Sequence, residues 1–182
     1  MSDDDLLRRA SEGDENAFNT LYSRHQGGIF RFALQMTGSR SAAEEVTQDV
    51  FVALIRGIGF VSSRGSLSGY LYGIAHKCVM KQFERDRRLV SLDEEEYPEP
   101  AVDATPLRDL TQTEAVEALR NAVLSLPSAY REAVVLCDLE ELSYSEAAEA
   151  MGVPVGTVRS KLNRGRELLV KKLKSSSMRC TA

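Results

Sequence analysis

No apolar run in this chain approaches the length of a membrane span, and strand signals are nearly absent. The acidic start Met1-Ser2-Asp3-Asp4-Asp5-Leu6-Leu7 lacks the pattern of a secretory signal peptide. Cysteine is scarce: Cys78, Cys137 and Cys180 are odd in number and widely spaced. That spacing excludes a disulfide framework and a zinc site, and it suits a reduced cytoplasm. His25 and His76 are the only histidines, and neither has a metal-ligand partner at suitable spacing. Cys78 lies two residues from His76, positions that do not face each other on a helix, so a packed cysteine and a surface or satisfied histidine are expected. The run Asp93-Glu94-Glu95-Glu96 lacks the spacing and the glycine of a calcium loop. There is no Ser/His/Asp set, phosphate-cradling glycine loop, nucleotide motif or internal repeat. The expectation is a cytoplasmic chain that is not an enzyme and needs no cofactor, metal or small-molecule substrate.

What is present is helical patterning. The 182 residues are 43% hydrophobic, enough for folded cores. A first helix is predicted over about 15–36, with Phe18, Leu21, Tyr22, Phe32, Ala33 and Met36 on or near one face. Thr37-Gly38-Ser39 breaks it. A second helix over about 42–56 buries Val46, Val50, Phe51, Leu54 and Ile55, and the glycine- and serine-rich stretch 57–69 reads as an irregular loop. A third helix covers about 69–88. Further helices are predicted at Glu114–Leu124 and Pro127–Leu139. Between the two halves, residues 91–112 combine the acidic run with Pro98, Pro100 and Pro106, which forbid a continuous helix. The fold class is therefore all-α: two small helical domains, 1–90 and 113–182, joined by a flexible acidic linker at 91–112.

The overall charge of −4 looks wrong for a nucleic-acid binder until it is divided. Residues 1–90 carry +1, residues 91–112 carry −6, and residues 113–182 carry +1, of which 155–182 alone carry +7. The positive charge is local. Such a chain binds free DNA weakly, because much of its field opposes the phosphates.

Residues 143–174 hold the most specific local signal. Ser143 followed by Glu146 is a capping box, Gly152 closes a short helix, and Pro154 stands where a second helix begins. That second helix is basic, and a helix–turn–helix with a basic second helix is suited to the major groove. Val158, Leu162, Leu169 and Leu173 form its inward stripe. Thr157, Arg159, Ser160, Lys161, Asn163 and Arg164 then face outward or along the margins. Arginine can contact guanine and asparagine adenine in bidentate fashion, while Lys, Ser and Thr more often position the backbone. The bland alternative is a basic surface helix with no groove to enter.

Two faces of the N-terminal half add to this. Lys77, Lys81, Arg85 and Arg88 recur at helical spacing beside Tyr70 and Tyr72, a combination that suits single-stranded DNA. A solvated basic face with the tyrosines in the core is the competing reading. Glu44, Glu45, Gln48 and Asp49 form an acidic, amide-bearing surface on the second helix. Its position beside a DNA-facing helix favours a basic protein partner, although charged helix faces are usually only solvated.

These pieces resemble a bacterial RNA polymerase sigma factor of the compact, extracytoplasmic-function type. The resemblance runs from about Asp14 to Lys174. It rests on Ala43-Glu44-Glu45-Val46-Thr47-Gln48-Asp49-Val50-Phe51, Tyr70-Leu71-Tyr72-Gly73-Ile74-Ala75, Leu126-Pro127-Ser128-Ala129-Tyr130-Arg131-Glu132 and Gly156-Thr157-Val158-Arg159-Ser160-Lys161-Leu162-Asn163-Arg164-Gly165-Arg166. It implies that Glu44, Glu45, Gln48 and Asp49 dock on the clamp helices of the β′ subunit of core RNA polymerase. It also implies that Ser62, Ser63, Arg64, Tyr70, Lys77, Lys81, Arg85 and Arg88 melt and read the −10 promoter element. Thr157, Arg159, Ser160, Lys161, Asn163 and Arg164 would read the −35 element. The acidic linker would thread the polymerase toward its active centre, and an anti-sigma factor would be a partner. Departures from the family pattern are Tyr70 in a place usually held by tryptophan, Ala42 in one often held by aspartate, and Val61-Ser62-Ser63 in place of Phe-Arg-Gly. Asn163 and Gly165 are also atypical. The competing readings are a sigma mimic that sequesters an anti-sigma protein, and a polymerase-independent helix–turn–helix regulator.

Overall fold

In a computed structural model, residues 1–61, 66–90 and 112–179 are described. Ser62, Ser63 and Arg64, the acidic stretch 91–111, and Cys180 lie outside them. Among the described residues there are eight α-helices, one π-helical turn and no strand, and no helix is long and apolar enough to cross a membrane.

The chain opens with a helix that periodicity did not indicate. Helix α1, Asp3–Ser11, is capped by the Ser2 hydroxyl, which accepts from the Asp5 amide at 3.2 Å. Asp3, Asp4 and Asp5 stand in its first turn, where negative charge complements the helix dipole. Leu6 and Leu7 are buried. The acidic start is thus a capped helix N-terminus, and its signals were the serine, the aspartates and the leucine pair.

Helix α2, Glu15–Thr37, begins at Asp14, whose carboxylate accepts from the Asn16 and Ala17 amides at 3.0 and 3.1 Å. It ends at Gly38 in the left-handed region, φ 70°. Helix α3, Arg40–Val61, runs five residues past the expected stop. Gly57 does not break it, so the expected loop is helical over 57–61, and its part at 62–65 lies outside the described residues. Helix α4 is Leu67–Val90. Helices α1 and α3 flank α2, and α4 packs on both α2 and α3. The expected burial of Ile55 is corrected, since it is 56% exposed, and Tyr22, expected on or near the apolar face, is 39% exposed. Tyr22 instead lies on the outer edge with its ring 4.6 Å from that of Phe51.

In the C-terminal half, α5 is Gln112–Leu124 and α6 is Ser128–Val134, entered through Pro127. The helix expected to reach Leu139 switches to a π-helical turn over Val135–Leu139. The Glu140 amide donates back to Val135 O at 2.9 Å, and Glu141 follows with φ 56°. Helix α7, Tyr144–Met151, carries the expected capping box and ends at Gly152 with φ 64°. Helix α8 is Val155–Arg179. Its inward stripe holds at Val158 and Leu162, both buried, while Leu169 is partly buried against the core.

The two halves share one apolar core. Helix α4 lies on α7, and α2 touches α5, α6 and the π-helical turn. Within the C-terminal half, α8 crosses α6 closely at Gly165. A Cβ added there would lie 2.7 Å from Val134 Cγ2 and 3.0 Å from Tyr130 O. Overpacking of that kind costs about 1–3 kcal/mol, more than the ~1 kcal/mol gained by replacing a helical glycine with alanine. Gly165→Ala should therefore lower the urea midpoint. Gly156→Ala, whose Cβ would meet nothing within 4 Å, should leave the midpoint unchanged or raise it. A higher midpoint for Gly165→Ala would contradict the packing described.

Candidate nucleic-acid interface

The helix–turn–helix is built from two capping devices. The Ser143 hydroxyl accepts from the Glu146 amide at 3.2 Å, and the Ser143 amide donates to Glu146 Oε2 at 3.0 Å. Burial of Glu146 works against its ionisation. Hydrogen bonds from Ser143 and Ser66 outweigh that and hold the carboxyl below its ordinary value. Pro154 starts α8, with its carbonyl accepting from the amides of Thr157 and Val158 at 2.9 and 3.2 Å. The buried Val158 and Leu162 then fix which face of α8 points outward.

On that outer face Arg159, Ser160, Asn163 and Arg164 are exposed, and Thr157 and Lys161 are half-buried at its margins. Two side chains are further constrained. Arg159 places its guanidinium 5.5 Å from the centroid of the Tyr144 ring, a cation–π arrangement worth about 0.5–1 kcal/mol at an exposed site. The Ser160 hydroxyl is turned back onto Gly156 O at 2.9 Å. Arg164 pairs with Glu167 at 3.0 Å across one helical turn. Arg166 is held by Asp138 through two hydrogen bonds of 2.9 and 2.5 Å, and that carboxylate raises the guanidinium pKa further. Arg166 is thereby committed to the protein.

On α4, Lys77, Lys81, Arg85 and Arg88 are all exposed, as their spacing indicated. Tyr70 is half-buried and lies against α3: a Cβ on Gly57 would meet its hydroxyl at 2.7 Å. Tyr72 is buried, its ring edge-on to Phe32 at 5.6 Å. The aromatic pair beside the cationic stripe therefore splits, with one ring near the surface and one in the core.

On α3, Glu44, Glu45, Gln48 and Asp49 share an exposed face. Glu44 pairs with Arg40 at 3.1 Å. Glu45 accepts from Gln82 at 3.3 Å and from Arg85 at 3.5 Å, which ties the acidic face to the basic stripe. No described group of histidine, cysteine and carboxylate residues is arranged to hold a metal ion.

Comparison with known proteins decides the family. The Sigma-70 region 2 family matches residues 21–89, and the Sigma-70 region 4 family matches residues 116–169. The ECF RNA polymerase sigma-E factor of Haemophilus influenzae is 30% identical, covering 95% of this chain and 96% of the relative. The chain belongs to the sigma-70 family, in its ECF group. SigE of Mycolicibacterium smegmatis is 33% identical over 86% of the chain, which spans 63% of that longer relative. SigW of Bacillus subtilis is 27% identical, covering 92% and 95%.

Two solved structures share the sigma-factor fold of this chain. CnrH in complex with the cytosolic domain of CnrY has a TM-score of 0.71 at 23% identity, covering 95% of this chain and 97% of that one. The sigma factor RpoE of Bartonella quintana, with the anti-sigma factor NepR, has a TM-score of 0.74 at 22% identity, covering 86% and 96%.

Sequence reasoning missed Tyr144 and Asp138, because both act across the helix crossing rather than along one helix. The capping box is open to direct test. Ser143→Ala should cost about 1 kcal/mol at neutral pH. Because the folded Glu146 carboxyl sits below its ordinary 4.5, its share is complete above that value and lost as pH falls through the folded value. The gap between the urea stabilities of wild type and variant should narrow on acidification. A gap that widens there would contradict the capping assignment.

Proposed function

We propose that this chain is a promoter-specificity subunit: it binds core RNA polymerase and directs initiation by reading two promoter elements. One observation carries the reading. A single chain presents an acidic face on α3, a cationic stripe on α4 and a capped basic helix α8, distributed over the two sigma regions in order. The acidic face suits a basic helical surface of the polymerase, the β′ clamp helices. The α4 stripe, with Tyr70, Ser62, Ser63 and Arg64, suits the melted −10 strand. The outer face of α8 suits the −35 major groove.

The division of labour follows the domain boundaries 1–90 and 113–182, with residues 91–112 as an acidic linker matched to a channel built for a polyanion. No chemistry is performed by the chain itself, so it is not an enzyme, and its setting is the cytoplasm. An anti-sigma factor is a further partner, in line with the RpoE–NepR complex. The exposed cations of α8 count against a mimic that merely sequesters such a protein.

Run-off transcription with core polymerase on a promoter library should show start sites that depend on this protein. Their absence would overturn the reading. Charge reversal at Glu45 and Asp49 should weaken core binding, and unchanged affinity would refute the docking face. Arg159→Ala should cost about 1–3 kcal/mol of discrimination at one base position. An equal loss on every sequence would make Arg159 a phosphate contact instead.

A further inference from the structure

Helix α8 displays Arg159, Arg164 and Arg166, and their partners differ in kind. Arg164 donates to the Glu167 carboxylate at 3.0 Å, and Arg166 to the Asp138 carboxylate at 2.9 and 2.5 Å. The partner of Arg159 is a ring: its guanidinium carbon lies 5.5 Å from the Tyr144 centroid. A carboxylate takes up guanidinium hydrogens and offsets the charge. An aromatic face attracts the cation through its quadrupole and leaves the in-plane N–H donors alone. Arg159 is therefore oriented with its charge and its donor fork intact. Tyr144 is in turn held at its base. It opens α7 directly after Ser143, whose hydroxyl and amide are both bonded to Glu146. Its ring is 38% exposed and stands at the surface beside α8. Arg166, about two turns beyond Arg159 on the same face of α8, also lies within electrostatic reach of the Tyr144 phenol.

Ordering a free arginine side chain against a base edge forfeits rotamer entropy, which subtracts from the gain of the contact. A guanidinium already stacked on a ring has lost much of that freedom before DNA arrives. Guanine presents O6 and N7 to the planar fork of arginine, and only a correctly angled guanidinium takes both. Building on the promoter-specificity reading above, we propose that Tyr144 is a positioning residue for the −35 element. Its ring orients Arg159 for a bidentate contact with one guanine and does not neutralise it. A carboxylate in its place would orient the arginine as well, but it would compete with DNA for the same donors. Tyr144 acts through Arg159 and reads no base itself.

Two measurements on the full chain test this, and one of them needs no polymerase. In the free protein the NMR signals of the Arg159 δ-methylene and Nε–H should be shielded by the ring. Tyr144→Leu should remove that shift, and Tyr144→Phe should keep it. Run-off by the holoenzyme is then compared on promoters that differ at single −35 base pairs, with Arg159→Ala marking the guanine that Arg159 reads. Tyr144→Leu should lower the preference for that guanine roughly three- to tenfold and leave the other positions unchanged, while Tyr144→Phe preserves it. In an Arg159→Ala background, Tyr144→Leu should have no further effect on that preference. A residue that merely supported the α7–α8 turn would weaken run-off equally on every −35 variant. Such a uniform loss, equal losses from the Phe and Leu variants (the mark of a phenol–phosphate contact), or additivity with Arg159→Ala would each overturn the proposal. Absent promoter-dependent run-off from the wild type would overturn the promoter reading and this role with it. An absent ring shift beside normal run-off would overturn the positioning role alone.

Discussion

Two buried carboxylates set the terms for the rest of the molecule. Glu132 and Glu140 are exposed by only a few per cent, and a buried charge that loses its partner costs about 3–5 kcal/mol. Their partners, His76, Arg31 and Tyr72, all belong to the other half of the chain. The halves are thus fastened at defined points, with Gly28 leaving the room that the Tyr72 hydroxyl and the Glu140 carboxylate occupy. These polar fastenings lie within a contact that is otherwise apolar, since the two halves share one hydrophobic core.

The proposed reading surfaces follow a simple plan. Each is a helix whose apolar face is committed to the core and whose charged residues lie on the outer side. Val158 and Leu162 anchor α8, and Leu71, Ala75 and Val79 anchor α4. Within that plan Asp138 holds Arg166 through two hydrogen bonds, while the Tyr144 ring beside Arg159 orients a guanidinium without neutralising it. The acidic face of α3 is likewise held in place through Glu45, which meets Gln82 and Arg85 of α4. A net charge of −4 is compatible with DNA recognition because the acids and the cations occupy different helices.

Much of this was legible in the sequence, for identifiable reasons. Capping boxes, left-handed glycines and 3.6-residue periodicity are local, so the helix–turn–helix and the exposure of Lys77, Lys81, Arg85 and Arg88 followed from spacing. The boundary errors were local competitions decided by tertiary contact. Gly57 looked like a stop, yet α3 continues through it, with the Tyr70 hydroxyl in the space a side chain would fill. Tyr22 and Ile55 lie one helical step off the buried stripe and face outward. The π-helical turn at Val135–Leu139 had no sequence signal, since its register is set by the bond from Glu140 N to Val135 O. The seam was invisible in principle. His76 and Glu132 are 56 residues apart, and Arg31 and Glu140 are 109 apart, so no periodicity relates them. For His76 a surface or a satisfied position was left open, and its partner could be found only in three dimensions.

Pulsed electron resonance between spin labels on α4 and α8 tests most directly whether the two proposed reading helices of one chain engage separate promoter elements. Arg87 and Glu167 are exposed positions outside the proposed contacts and suit the labels. Free protein should give a single short distance, set by the seam. Addition of core polymerase and promoter DNA should replace it with one tens of ångströms longer. The same short distance in the promoter complex would contradict the separation of the two readers on which the mechanism depends.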